Sequence, residues 1–199
     1  MTNVLIAFYS RSGTVESLAK AVADGAREEG AEVRLRRARE VVGPEVMAMA
    51  PGWTEGAQRM NALYEAPTPA DAEWADAIVL GTPTRFGIVS SELKAYMDGL
   101  GGLWAQGKLA GKVGSVFSAT SSLHGGNEAT ILSLWAPLAH WGMVIVPLGY
   151  TDPVMFNAGT PYGATAATGR ERRPITDAER HVAHWQGRRV AQVAAKLRA

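Results

Sequence analysis

Three short hydroxyl side chains, Ser10, Ser12 and Thr14, surround a single glycine, Gly13, directly after the apolar run over residues 4–9. A strand that ends in a tight polar turn and passes at once into a helix gathers free backbone N–H groups and a partial positive charge at one point. That is the layout of a phosphate site. The residue types narrow the phosphate. A Walker loop requires G-x-x-x-x-G-K-[ST], with a lysine and a magnesium-bound hydroxyl, and neither is here. A dinucleotide turn requires G-x-G-x-x-G so that the backbone can approach a pyrophosphate; only Gly13 is present. The set that remains, Ser10, Arg11, Ser12, Gly13, Thr14 and Val15, suits one terminal phosphate monoester, and FMN is the common ligand that carries one at such a turn. An ordinary helix start, with Ser12 or Thr14 as N-cap and Gly13 relaxing the turn, uses the same residues.

Two more apolar runs end in unusual polar turns. The run over 77–81 enters Thr82, Pro83, Thr84, Arg85, Phe86 and Gly87. Pro83 fixes the chain exit and Gly87 permits a close backbone approach. The N–H groups of this turn would face N5 and O4 of an isoalloxazine. The run over 113–118 enters Ala119, Thr120, Ser121, Ser122 and Leu123, in a loop that continues to Asn127. Backbone donors there would face N1 and O2, where negative charge collects on reduction. Arg85 reads as a ligand-facing cation or a solvated loop arginine. Phe86 flanks the ring or packs beneath the loop. His140 precedes the fifth strand, either at the pyrimidine edge of the flavin or as a structural helix-end histidine. Trp104 lines a flat-substrate pocket or packs in a core or interface.

The elements that must position these turns follow from periodicity. Strands are expected over 4–9, 32–37, 77–81, 113–118 and 143–147. Val33 and Leu35 alternate with charges, which marks the second strand as an edge. Arg34, Arg36, Arg37 and Arg39 on it read as a solvated basic run. Helical spacing joins Val15, Leu18, Ala19, Val22 and Ala26, then Leu93, Tyr96, Met97 and Leu100 behind Ser90 or Ser91, then Ile131, Leu134, Trp135 and Leu138. A last helix, capped by Thr176 or Asp177, carries Val182, Trp185, Val190, Val193 and Leu197. Residues 40–75 give no clear reading, because Pro44, Pro51, Pro67 and Pro69 interrupt any long element. Alternating strands and helices imply an α/β fold of the flavodoxin-like, doubly wound kind: a five-stranded parallel sheet in the order 2-1-3-4-5, with helices on both faces. In that order the first, third and fourth strands are adjacent, and their three polar turns converge on one crevice at the carboxyl ends. The whole chain, 1–199, reads as one domain with an inserted loop segment at about 151–173.

Composition excludes several chemistries. The chain has 199 residues, 47% apolar and 20% charged, with a net charge of +1. That balance gives no pull toward nucleic acid, and it lacks the acidity of a small electron shuttle. The absence of cysteine excludes disulfides, thiolate catalysis and iron–sulfur ligation. His181 and His184 share a helix face, yet no carboxylate or cysteine cluster accompanies them, so no metal site is expected. No apolar run reaches the roughly 18 residues that span a bilayer. The first residues enter a strand directly, without a leader pattern. A soluble, cytoplasmic protein without membrane insertion is expected.

Four longer motifs add a family likeness. They are Gly81-Thr82-Pro83-Thr84-Arg85-Phe86-Gly87, Gly101-Gly102-Leu103-Trp104-Ala105, Leu138-Ala139-His140-Trp141-Gly142-Met143-Val144-Ile145-Val146-Pro147 and Gly159-Thr160-Pro161-Tyr162-Gly163-Ala164. Together, and over essentially the whole chain, they resemble the WrbA-type NAD(P)H:quinone oxidoreductases. The resemblance implies noncovalent FMN, a homotetramer, and ping-pong two-electron reduction of quinones by NADH or NADPH. It also implies that Ser10, Arg11, Ser12, Gly13, Thr14 and Val15 hold the FMN phosphate, and that Thr84, Arg85 and Phe86 contact the flavin. Ala119 to Leu123 or His124 would form the third flavin loop. His140 would sit at the flavin edge as a proton donor, with Trp104 facing the substrate. The segment 151–173 would help build the tetramer, in which neighbouring subunits complete each site. Relatives often carry an aromatic at position 12, where nicotinamide is met; this chain has Ser12. The third loop is one residue longer than expected, with Ser121 and Leu123 where glycine is usual. The competing class is a flavodoxin-like electron carrier or a regulatory binding module.

Overall fold

The computed structural model describes residues 1–198. Its sheet contains β1 (Asn3–Phe8), β2 (Glu32–Arg37), β3 (Ala77–Pro83), β4 (Val113–Thr120) and β5 (Val144–Ile145), all parallel, in the order 2-1-3-4-5. β1 shows why the sheet is covered twice. Val4, Ile6 and Phe8 enter one core and Leu5, Ala7 and Tyr9 the other, all with no exposed surface. A parallel strand buried on both faces has no polar side to offer. The first core is closed by α1 (Thr14–Glu28) and α8 (Asp177–Arg198). The second lies under α4 (Pro69–Trp74), α5 (Ser91–Asp98), α6 (Gly101–Ala105) and α7 (Asn127–His140). Among the described residues no helix is long and apolar enough to cross a membrane.

The expected strand at 143–147 is shorter and the edge is made of two pieces. β5 pairs only with Val113 and Gly114, and the sheet gains a sixth strand, β6 (Thr165–Ala167), beside Ser118, Ala119 and Thr120. Pro147 has no N–H to continue the ladder. The next amides, Leu148 and Gly149, both donate to the Pro161 carbonyl at 3.0 and 2.8 Å. The chain thus leaves the sheet, makes a 3₁₀ turn at Pro153–Phe156, and returns along the upper half of β4. The segment expected as an inserted loop therefore supplies a strand.

The stretch that periodicity left unread, 40–75, forms α2 (Pro44–Ala48), α3 (Trp53–Leu63) and α4. α2 and α4 are too short for a clear apolar stripe, and α3 buries only Trp53, Ala57 and Met60. α4 starts with a reciprocal capping box between Thr68 and Asp71. β2 is the edge strand, as its pattern implies, but its arginines are not a solvated run. Arg34 and Arg36 bond Asp71 at 3.1 and 3.3 Å. Arg37 is fully buried. It donates to Asn61 Oδ1 at 2.6 Å and to the Ser10 carbonyl at 3.0 Å, and it pairs with Glu40. α3, invisible in the sequence, folds over the end of β2 and excludes water from this side chain.

α1 and α8 cross at glycines. A Cβ at Gly25 would strike the His184 carbonyl, and one at Gly187 the Val22 carbonyl. Glycine is poor in a helix interior, and backbone contact between these two helices is what requires it.

Arg37 is the test of this arrangement. Burial opposes ionisation of Glu40, but the hydrogen bond and charge of Arg37 outweigh it and hold the carboxyl below its usual value. Arg37→Ala leaves that carboxylate and the Ser10 carbonyl unpartnered, and is expected to cost about 3–5 kcal/mol in urea unfolding at neutral pH. A group with a lowered folded pKa stabilises above its unfolded value and loses this as pH falls through the folded one. The gap between wild type and Arg37→Ala should accordingly narrow below about pH 4. A constant gap would remove Glu40 from the account.

Candidate functional site

Parallel strands deliver every strand-to-helix turn to one edge, and β1, β3 and β4 are neighbours. Their turns enclose a cleft of about 190 Å³. Ser10, Arg11, Ser12, Thr14, Val15, Pro83, Thr84, Arg85, Ala119, Thr120 and Ser121 line it.

The first turn is braced from within. Ser10 is buried, its Oγ accepts the Gly13 N–H at 3.0 Å, and its carbonyl is the one gripped by Arg37. The Ser10 hydroxyl proton stays free to donate. Gly13 adopts φ 96° as N-cap of α1, and no side chain caps the helix. An ordinary helix start capped by Ser12 or Thr14 is therefore not what forms. The first-turn N–H groups of α1 are left for a ligand, which fits a phosphate. α7 begins the same way, at Gly126 with φ 91° and no side-chain cap. α4 and α8 differ: Thr68 and Thr176 cap them by side chain.

The second turn is tight. Arg85 and Ile88 exchange backbone hydrogen bonds at 2.9 and 3.2 Å. Thr84 Oγ1 accepts from the Gly87 amide at 3.1 Å and bonds the Thr130 hydroxyl at 2.8 Å. Phe86 stands at φ 54° and is fully exposed, so it does not pack beneath the loop. A bulky residue with positive φ is strained. Phe86 and Gly87 do not themselves line the cleft; they form its rim.

The third turn divides. Ala119 and Thr120 are the last residues of β4, and Thr120 Oγ1 accepts the Ser122 amide at 3.3 Å. Ser121 faces the cleft, whereas Ser122 and Leu123 do not; Leu123 lines a neighbouring recess instead. The second and third turns touch: a Cβ on Gly126 would lie 3.1 Å from the Gly87 Cα.

Two expected residues lie elsewhere. α7 runs antiparallel to the strands, so its 14 residues carry His140 about 20 Å back toward the amino ends. There the Trp104 Nε1–H donates to the His140 carbonyl at 3.0 Å, and both residues are exposed. Neither reaches the cleft of its own chain, and His140 is not beside it as the sequence suggested. His181 and His184 pair separately, with Asp152 at 3.0 Å and Glu28 at 2.9 Å.

Two lining residues escaped the sequence reading. Thr168 and Arg172 enter the cleft from the segment after β6. The three arginines around Glu171, at 170, 172 and 173, were the available signal, but only the return of β6 beside β4 puts Arg172 here. Arg11, Arg85 and Arg172 make the cleft positive. Burial chiefly, and then the charge of Arg85, hold the Arg11 guanidinium below its ordinary value.

Gly126→Ala tests the closeness of the turns. It combines a forbidden φ with contact on Gly87, and is expected to cost about 1–3 kcal/mol. FMN affinity, read by flavin fluorescence quenching, should fall with it. Unchanged affinity would show that this junction does not shape the cleft.

Comparison with known proteins agrees with this geometry. The model of the NADPH-dependent FMN reductase family matches residues 4–151. A flavodoxin, WrbA-like protein from Agrobacterium tumefaciens is 25% identical, with a TM-score of 0.68 over 98% of this chain and 99% of that one. A flavodoxin from the domain Archaea shares the fold at 17% identity and a TM-score of 0.62, over 98% and 99% of the two chains. So does RosB with a bound riboflavin-phosphate intermediate, at 14% and 0.64, over 100% of this chain and 81% of that one. With the sheet order, the uncapped helix start over the cleft and the match over most of its length, the chain belongs to the NADPH-dependent FMN reductase family on a flavodoxin-like fold.

Proposed function

We propose that this protein is an FMN-dependent NAD(P)H:quinone oxidoreductase of the WrbA type. The observation that carries the reading is the convergence of three polar turns and the uncapped start of α1 on one positive cleft. The likeness to the WrbA-like protein of Agrobacterium tumefaciens, over nearly the full length of both chains, supports the type.

Bound FMN would supply the ability to take a hydride from a nicotinamide and pass it to a quinone. The chain's own residues do the rest. The amides from Ser12 to Val15, with the Ser10, Ser12 and Thr14 hydroxyls, hold the phosphate, and Arg11 and Arg85 balance its charge. Pro83, Thr84 and the amides around Gly87 set the height of the ring. Ala119, Thr120, Ser121 and the loop through Ser122 and Leu123 aim backbone donors at the pyrimidine edge, where negative charge develops. Phe86 walls the open face against water. Nicotinamide and quinone occupy that face in turn, near Ser12. Positioning and electrostatics suffice, and no protein nucleophile is required.

The assembly we propose is a homotetramer. Tyr150 and Phe156 are exposed and stacked at 5.2 Å on the segment outside the sheet, and Phe86 and Leu123 are exposed beside the cleft. Apolar surface of this kind marks an interface. In such an assembly Trp104 and His140 of one copy complete the cleft of another, where Trp104 packs on the quinone. His140 holds the proton that a quinone oxygen takes up. We place this chemistry in the cytoplasm.

Anaerobic titration of FMN-loaded protein with NADPH, then benzoquinone, checks the activity. Absorbance near 450 nm should bleach in a single two-electron phase and return with quinone. A flavin that binds but is not bleached would make the protein an electron carrier or a regulatory module. Ser10→Ala with Thr14→Ala should weaken FMN binding by at least about tenfold in equilibrium dialysis; full retention would overturn the phosphate assignment. Mixing that double variant with His140→Ala should regain activity if one site draws on two copies, and no recovery would place His140 outside the reaction.

A further inference from the structure

A second recess, of about 440 Å³, adjoins the cleft at the third turn. Ser121 lines both. Leu123, Asn127, Glu128, Asn157 and Thr165 stand around the recess with it. Asn127 opens α7 directly behind Gly126 and is only 6% exposed. Its Nδ2 donates to the Ala166 carbonyl of β6 at 3.3 Å, and a partner that can only accept fixes which way the amide points. Oδ1, on the other arm, is buried and has no partner. A buried carbonyl oxygen without a donor is costly, and such atoms are rare in folded proteins. Here its residue lines a cavity, so the missing N–H or O–H is one that a ligand can bring.

The charges around the recess are already answered, and the donor need not be an ion. Arg173 donates to both Glu179 carboxylate oxygens, at 2.8 and 2.9 Å, and to the Ala167 carbonyl at 2.7 Å. Glu179 also accepts from the Thr176 and Ala167 amides. Glu128 lies in the first turn of α7, where a carboxylate offsets the positive end of the helix. What is left to meet a ligand is neutral: the Asn127 oxygen, the Asn157 amide, and the hydroxyls of Ser121 and Thr165, which donate or accept as required. Among the described residues that line the recess, Leu123 is the one large apolar side chain, and it is exposed. An alkyl chain would find little to pack against.

We propose that this recess receives the substituent of the quinone reduced in the cleft, and that it makes the protein select quinones bearing an amino or hydroxyl group over alkylated ones. The inference rests on the quinone-reductase reading above and adds the substrate class to it. Asn127 Oδ1 accepts from the substituent. A methyl group in the same place leaves that oxygen unpartnered, and a site built around a polar group rejects the analogue lacking it far more strongly than an apolar pocket discriminates by size. The substituent itself is not altered. The reduced nicotinamide gives up a hydride, one further proton comes from the medium, and the two quinone carbonyls become hydroxyls.

The probes are 2-amino-1,4-naphthoquinone and 2-methyl-1,4-naphthoquinone, which share a shape and differ in the donor; the chain has no cysteine to form adducts with them. Calorimetry on oxidised, FMN-loaded protein without nicotinamide should give the amino compound at least about tenfold higher affinity. Asn127→Leu should cut that preference to about threefold or less, and Asn127→Ala reads the same loss if the leucine variant does not fold. The ratio of kcat/KM for the two quinones should change in step between wild type and variant, because the difference in driving force between the acceptors cancels in that comparison. Equal affinities in the wild type overturn the proposal, and so does a preference that loss of the Asn127 amide leaves intact. Equal binding by a protein whose flavin NADPH bleaches and either quinone restores removes the recess and leaves the reductase reading standing. A tenfold preference in a protein whose flavin no nicotinamide bleaches removes the reductase reading and keeps the recess's choice of ligand.

Discussion

All the strands of the sheet run the same way, and this one constraint sorts the molecule's chemistry into two ends. Both faces are covered, so the central strands carry few polar side chains. They collect where strands become helices. The turns after β1, β3 and β4 therefore meet without any contact between them having to be encoded separately. The same constraint sends the carboxyl ends of the helices the other way. His140 and Trp104 are at the far edge because α7 must return the chain to the start of the next strand. In a chain of this topology such residues do not reach the cleft of their own copy.

Charge is the second organising element. Arg37 is buried with both terminal nitrogens partnered, tying β2, α3 and the first turn together through Ser10, Asn61 and Glu40. Arg11, Arg85 and Arg172 are left facing one another. Arg37 is recognised as structural by its partners, and among the described residues Arg11, Arg85 and Arg172 have no ion pair.

Much of this was legible in the residues themselves. Runs such as Val4–Phe8 and Ile78–Leu80 are strands because nothing polar interrupts them, and α1 and α7 show their buried stripes plainly. The three polar turns could be placed together from strand order alone. Legibility failed where an element is short or a position is set by distant chain. α2, α3 and α4 are each bounded by proline or glycine and bury little. Arg37 looks solvated in a basic run until α3 covers it. Thr168 and Arg172 join the site only because β6 closes the edge that β5 leaves open.

The crossing of α1 and α8 at Gly25 and Gly187 has a bearing on the order in which the protein matures. The turn that begins α1 is made by the first residues of the chain, yet the helix it starts is buried by the last. Contacts between such distant segments form late, because the loop between them must close first. Until α8 is made, the helix that starts at the first turn lacks the surface that buries it, so that turn gains its support only when the two distant segments meet.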